Sequence, residues 1–243
     1  MKRIKSFMIM LGVFAAVSCT KNQTSDCGQV SFDILSDSDI IEVTRSNVSD
    51  YTDLPSKEDF DIVIKDASAA SVYSGKISGW DSSRMLPSGN YTVNASYGSL
   101  EDEGFDKPYF YGTANFAVLG DNITSVSVPV SLGNTVIKVE TTADFRNYYK
   151  DYNFRLTRNG AVIASFAKDD TRAAFVDGYK ITVEGTIASE NKEYEFSKDY
   201  TNLKEATAYT ILFDSGNTGG ATITVSFNDT VETIELGDYE LND

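Results

Sequence analysis

Along most of the chain apolar and polar residues alternate with a period of two, the spacing that gathers one set on a single face of a pleated strand. The stretch from Leu86 to Gly98 organises the rest. Pro87 and Gly89 supply a turn, and Tyr91, Val93, Ala95 and Tyr97 then alternate with Thr92, Asn94 and Ser96. The sharpest alternation sets Val126, Val128, Val130 and Leu132 against Ser125, Ser127, Pro129 and Ser131. Pro129 has no N–H for a ladder, which predicts an edge or a bulge at that point. Further strands are expected at Val30 to Ile34, with a continuation through Ile40 to Val43, then at Phe60 to Lys65, Val72 to Ile77, Phe116 to Val118 and Val136 to Val139. A helical patch interrupts them: Thr141 and Asp144 read as a capping box, and Phe145, Tyr148, Tyr149 and Tyr152 fall on one helical face. Strands resume through Ile223 to Phe227, and Asn228-Asp229 reads as the tip of a hairpin returning through Val231, Ile234 and Leu236.

Short strands at such spacing predict an all-β fold of sandwiches or barrels. The turn and strand around Tyr91 have a weaker copy in Phe175-Val176-Asp177-Gly178-Tyr179, and Tyr109 to Val118, Asn122 to Leu132 and Gly133 to Val139 find rough counterparts in Tyr194 to Leu203, Ala206 to Ser215 and Gly216 to Val225. The expectation is two tandem antiparallel Greek-key β-sandwiches, residues 29–132 and 133–243, joined end to end at Gly133-Asn134 with little freedom between them.

Composition agrees with a folded β protein: 41% hydrophobic residues, with fourteen Tyr and fourteen Phe. The N-terminus is different. Lys2, Arg3 and Lys5 precede an apolar run from Phe7 to Val17, the form of a secretory signal covering residues 1–18. That run is too short to cross a bilayer as a helix. Ala16-Val17-Ser18-Cys19 has the spacing of a bacterial lipobox, in which the cysteine thiol is lipidated and becomes the new N-terminus. Residues 19–28 then form a tether, the lipid on Cys19 holds the chain to a membrane, and Cys27 is the remaining thiol of the mature chain. With two cysteines in all, no disulfide framework is expected to hold the fold. The net charge of −15 argues against nucleic acid and anionic lipid as partners.

Chemistry is sparse in this pattern. The chain has no histidine, which excludes histidine-based triads, histidine zinc sites and histidine acid–base pairs. Its thirty-six carboxylates carry no spacing that marks a catalytic pair, so no catalytic residue, metal or cofactor is assigned. Asp37, Asp39, Glu101, Asp102, Glu103 and Asp106 are acidic enough to consider for calcium, yet they lack the glycine-bearing loop template. Trp80, Phe105, Tyr109, Phe110 and Tyr111, near an acceptor-rich loop, are candidate glycan contacts, because aromatic faces stack on sugar rings; closing the end of the first sandwich is the plainer role for them.

Taken together, Cys19, the segment Val43-Thr44-Arg45, the run Leu86-Pro87-Ser88-Gly89-Asn90-Tyr91 and the loop Glu103-Gly104-Phe105-Asp106-Lys107-Pro108-Tyr109-Phe110-Tyr111-Gly112 resemble the fimbrillin-like cell-adhesion lipoproteins of Bacteroidales-type bacteria. The likeness is closest to uncharacterised members and spans the mature chain. It implies two transthyretin-like sandwiches, an outer-membrane lipoprotein facing the periplasm or the cell surface, and a role as an adhesion or pilus-like structural module. In fimbrillins a protease cuts after an arginine, the first strand leaves, and a strand from another subunit fills the groove. The resemblance puts Arg45 at that cleavage position. Thr20-Lys21-Asn22-Gln23 departs from the family, lacking the acidic run that resembles a surface-export signal. The other function weighed is a carbohydrate-binding lipoprotein of a glycan-uptake system.

Overall fold

The computed structural model describes residues 26–35, 42–43, 46–189, 192–215, 222–227 and 230–235. Cys19, Arg45, Asp37, Asp39 and the signal segment lie outside them.

The first half builds β1 (Cys27–Leu35), a short hairpin of β2 (Glu42–Val43) and β3 (Ser46–Asn47), β4 (Asp61–Asp66), β5 (Ser71–Lys76), β6 (Met85–Pro87), β7 (Gly89–Tyr97), β8 (Gly104–Phe105), β9 (Phe110–Val118) and β10 (Ile123–Leu132). Seven of these strands run in the order β5-β4-β7-β9-β10-β1-β6. The ladder bends back on itself at β10. Val130 to Leu132 pair with β9, whereas Ile123 to Pro129 pair with β1 in parallel. Pro129, expected at an edge or a bulge, sits inside β10 where it changes partner, and its missing N–H costs little at a corner where a strand passes between sheets. Gly112 is required opposite it, since a Cβ there would strike the Pro129 carbonyl. The two arms close on one core in which Val30, Ile34, Ile62, Ile64, Val93 and Val128 are fully buried.

The second half contains β11 (Thr135–Thr141), α1 (Ala143–Tyr148), β12 (Asp151–Arg158), β13 (Ala161–Phe166), β14 (Ala173–Val176), β15 (Lys180–Ala188), β16 (Glu193–Thr201), β17 (Thr207–Ser215), β18 (Thr222–Phe227) and β19 (Thr230–Glu235). A four-stranded sheet β13-β12-β15-β16 faces a six-stranded sheet β19-β18-β17-β11-β14-β8. Between them lies a core rich in rings, with Phe154 stacked on Phe213 at 4.0 Å and Phe145 and Phe196 packed around them.

The duplication is visible in the pairing. The arms β5-β4-β7-β9 and β6-β1-β10 recur as β13-β12-β15-β16 and β14-β11-β17, and each half lays its first strand parallel to a late one, β1 on β10 and β11 on β17. The turn-and-strand copies at Tyr91 and Tyr179 therefore occupy equivalent places, as do β9 with β16 and β10 with β17. The third expected counterpart differs. β18 pairs antiparallel with β17, while β11 crosses into the other sandwich. The fold is all-β and a β-sandwich, with one short helix.

Three local expectations shift. The helix is capped by Thr142, whose hydroxyl accepts the Phe145 N–H at 3.1 Å, and it ends before Tyr152, which belongs to β12. The acidic loop at Ser99 to Lys107 contains β8, which pairs with β14 of the other half. Cys27, buried at the start of β1, is disulfide-bonded where a thiol was expected.

Candidate functional site

β1 occupies the middle of its arm. β10 flanks it along Gln29 to Leu35, and β6 flanks only Cys27 to Gln29. Past Gln29 its other edge is met by Trp80, whose Nε1–H donates to the Val30 carbonyl at 2.8 Å. The Trp80 ring also packs edge-on against Phe32 and Tyr73, at 5.3 and 5.1 Å. Trp80 thus fastens β1 rather than offering an open platform, a role its place in the sequence did not signal.

The other expected ring contacts separate. Phe110 is fully buried between Phe60 and Tyr97 and is not available to a glycan, because on β9 it alternates onto the core face. Phe105 lies on β8, edge-on to Phe166 and capped by the Arg172 guanidinium at 3.9 Å. Tyr109 and Tyr111 do come together, stacked 5.7 Å apart over Gly133, where any Cβ would strike the Tyr109 ring. Tyr111 stays 40% exposed, and the Glu205 carboxylate beside its hydroxyl holds its pKa above the ordinary value.

The two halves are clasped where β8 reaches across. Glu103 accepts from Arg158 Nε at 3.0 Å, from Arg158 Nη2 at 2.7 Å and from the Asp177 N–H at 2.7 Å. Nearby, the buried Asn134 Oδ1 accepts the Tyr109 N–H, while its Nδ2 is buried without a hydrogen-bond partner. Glu103 is therefore committed to an arginine, and no group of three or more carboxylate or thiol ligands sits together among the described residues.

Two concavities stand out among the described residues. One of about 350 Å3 opens in the second half between the end of β11 and the loop before β14, lined by Lys138, Arg146, Tyr152, Phe166, Asp169 and Asp170. Its charges are largely paired within the chain: Asp170 holds Arg172, which keeps the Asp170 carboxyl below its ordinary pKa, and Lys138 holds Glu140. The other, about 660 Å3, lies on the outer side of β4, β7 and β9.

The molecule is thus of the duplicated β-sandwich class, its halves clasped through Glu103. The chain belongs to the family described as a domain of unknown function, DUF4493, whose model matches residues 26–237. This agrees with the resemblance to uncharacterised fimbrillin-like members. No curated protein matches the sequence. Among solved structures, the chain is similar to a fimbrial assembly protein from Parabacteroides distasonis, at 10% identity and a TM-score of 0.48, over 87% of this chain and 98% of that one. It is similar to the fimbrial anchor protein Mfa2 from Porphyromonas gingivalis, at 11% and 0.41, over 85% and 98%. A provisionally assigned polysaccharide-binding protein from Bacteroides thetaiotaomicron matches at 12% and 0.47, over 86% and 98%. No helix among the described residues is long and apolar enough to cross a membrane.

Proposed function

We propose that the chain is an extracytoplasmic lipoprotein, held to the outer membrane through Cys19, that serves as an adhesion or pilus-like structural module made of two sandwich domains, 29–132 and 133–243. The observation that carries the structural half is the seat of β1. Its loss would leave β10 and β6 with unpaired backbone over an apolar groove lined by Val126, Val128 and Leu86, a template for a strand from another subunit. Arg45 follows β1 and is the proposed cleavage point. Because such an exchange is head-to-tail and open, it grows a filament. Intact-mass analysis of protein from its own membranes tests the anchor: a mature chain that begins at a diacylated Cys19 is expected. A full-length chain without acylation would end the anchoring proposal.

A second reading, a carbohydrate-binding lipoprotein of a glycan-uptake system, draws on the exposed Tyr111 ring stacked on Tyr109. It predicts that Tyr111→Ala abolishes retention on glycans.

A further inference from the structure

The outer face of β7 and β9 carries side chains that a sheet does not ordinarily select. Thr92 lies opposite Asn115 in the ladder, and Asn94 lies opposite Thr113, so two successive cross-strand pairs repeat one combination with the partners exchanged. Thr92 donates to Asn115 Oδ1 at 2.8 Å, and Thr113 donates to Asn94 Oδ1. Each amide oxygen is thereby taken up by a threonine, which turns each amide Nδ2 away from that bond. Asparagine is depleted in strands. Threonine pairs alone would suit a purely structural role better, since β-branched side chains favour the pleated surface. Two asparagines in mid-strand, both oriented by a partner, are better suited to presenting donors.

Their surroundings narrow what could be bound. The formal charge is −15, yet the side chains of the track itself are neutral, with Lys65 and Asp66 flanking the concavity and Glu205 beside the Tyr111 hydroxyl. At one end Asp61 is paired with Lys76 at 3.0 Å, and at the other Asp66 is taken up by Ser68 and the Ala70 N–H. The concavity of about 660 Å3 lies over Thr92, Asn94 and Asn115 and is of the size that small-molecule sites occupy. Tyr111 continues the same face of β9, opposite Ser96, and brings the exposed ring of the Tyr109–Tyr111 stack to the end of the row. An aromatic face followed by oriented amides and hydroxyls, none of them itself charged, matches a chain of neutral sugars: rings stack on tyrosine, and hydroxyls exchange hydrogen bonds with the amides. An anionic polymer would be repelled by the chain and would find only Lys65 beside the track.

We infer that the outer face of β7 and β9, from Tyr111 through Asn94 and Thr113 to Thr92 and Asn115, is a binding track for a neutral glycan. The inference rests on the carbohydrate-binding reading and deepens it, naming a neutral glycan and the β7–β9 face, and it requires neither anchoring nor loss of β1. Loss of binding in Tyr111→Ala with undiminished binding in the asparagine variant would overturn the track while leaving that reading standing. It is tested with the full chain by affinity electrophoresis and calorimetry against laminarin, yeast mannan, galactomannan and dextran, with polygalacturonate as the charged comparison. At least one neutral polysaccharide should bind. The double variant Asn94→Thr, Asn115→Thr keeps the fold's strand preference and should weaken that binding by roughly tenfold or more, as expected for lost amide hydrogen bonds. Tyr111→Ala should weaken it independently, with thermal unfolding unchanged for the double variant. Absence of binding to every neutral polysaccharide, binding to polygalacturonate alone, or undiminished binding in the double variant would each overturn the inference.

Discussion

Removing the Glu103 carboxylate is the sharpest way to ask whether the two halves act as one unit. Glu103 and Arg158 have side chains only 14% and 23% exposed, and the pair is bidentate. Glu103→Ala would take three charge-assisted hydrogen bonds at once, leaving a half-buried guanidinium and the Asp177 N–H without this acceptor. Breaking a fully buried pair from one side costs about 3–5 kcal/mol. Arg158 keeps some exposure and its bond to the Asp177 carbonyl at 2.6 Å, so the cost here is lower, about 2–4 kcal/mol. For a chain of this size that lowers the unfolding temperature by roughly 4–16 °C. Differential scanning calorimetry measures it, and hydrogen exchange locates it: Gly104 and Phe105 of β8 and Ala174 and Phe175 of β14 should exchange faster, whereas β4 and β7 should not. Arg158→Ala should add little to Glu103→Ala, because both delete the same contact. An unfolding temperature within a degree of the parent, or additive losses in the double variant, would refute the clasp.

Other consequences can be checked on the same protein. Ala69 holds φ of 65° in the turn between β4 and β5, so Ala69→Gly should stabilise by about 0.5–1 kcal/mol in a denaturant melt. Gly112→Ala should destabilise by about 1–3 kcal/mol or more, as the new methyl meets the Pro129 carbonyl where β10 changes sheets. Asp66, Asp81 and Asp199 lie below the ordinary carboxylate pKa of 3.8, chiefly through hydrogen bonds from Ser68, Ser83 and Lys180, and Asp170 does so chiefly through Arg172. A depressed folded pKa means the unfolded chain takes up protons first, so stability is steady above the ordinary value of 3.8, falls as pH drops from there toward the depressed value and levels off below it, which an acid titration of unfolding temperature will show. Tyr149 is pushed up to about 12 by burial, so its effect has the opposite sense: stability should decline as pH rises from about 10 toward 12.

The strands were legible wherever one face is buried, because alternation then records the face directly. Tyr91 to Tyr97 and Val126 to Leu132 are of this kind, and so is the copy at Tyr179, whose equivalence follows from pairing as well as from motif. β8 was not legible. Two residues carry no period, and their partners, Ala174 and Phe175, lie some seventy residues away. For the same reason Glu103 was grouped with the other loop carboxylates, although it is turned inward to Arg158. The aromatic candidates were chosen by type, yet alternation along β9 divides them, sending Phe110 to the core and Tyr111 outward. Thr92, Asn94 and Ser96 were recognised as the polar side of their strand. Only the register with β9 reveals that threonine and asparagine face each other twice.

The most direct test of the structural-module account is the fate of β1 after a cut at Arg45. Limited trypsin digestion of the folded chain, followed by native and denaturing gels, should give cleavage after Arg45 and heat-resistant ladders. The departure of β1 should shift Trp80 emission, since Trp80 loses the Val30 carbonyl and the Phe32 ring. A chain that is never cut there, or that is cut and stays monomeric with unchanged Trp80 emission, would contradict the account.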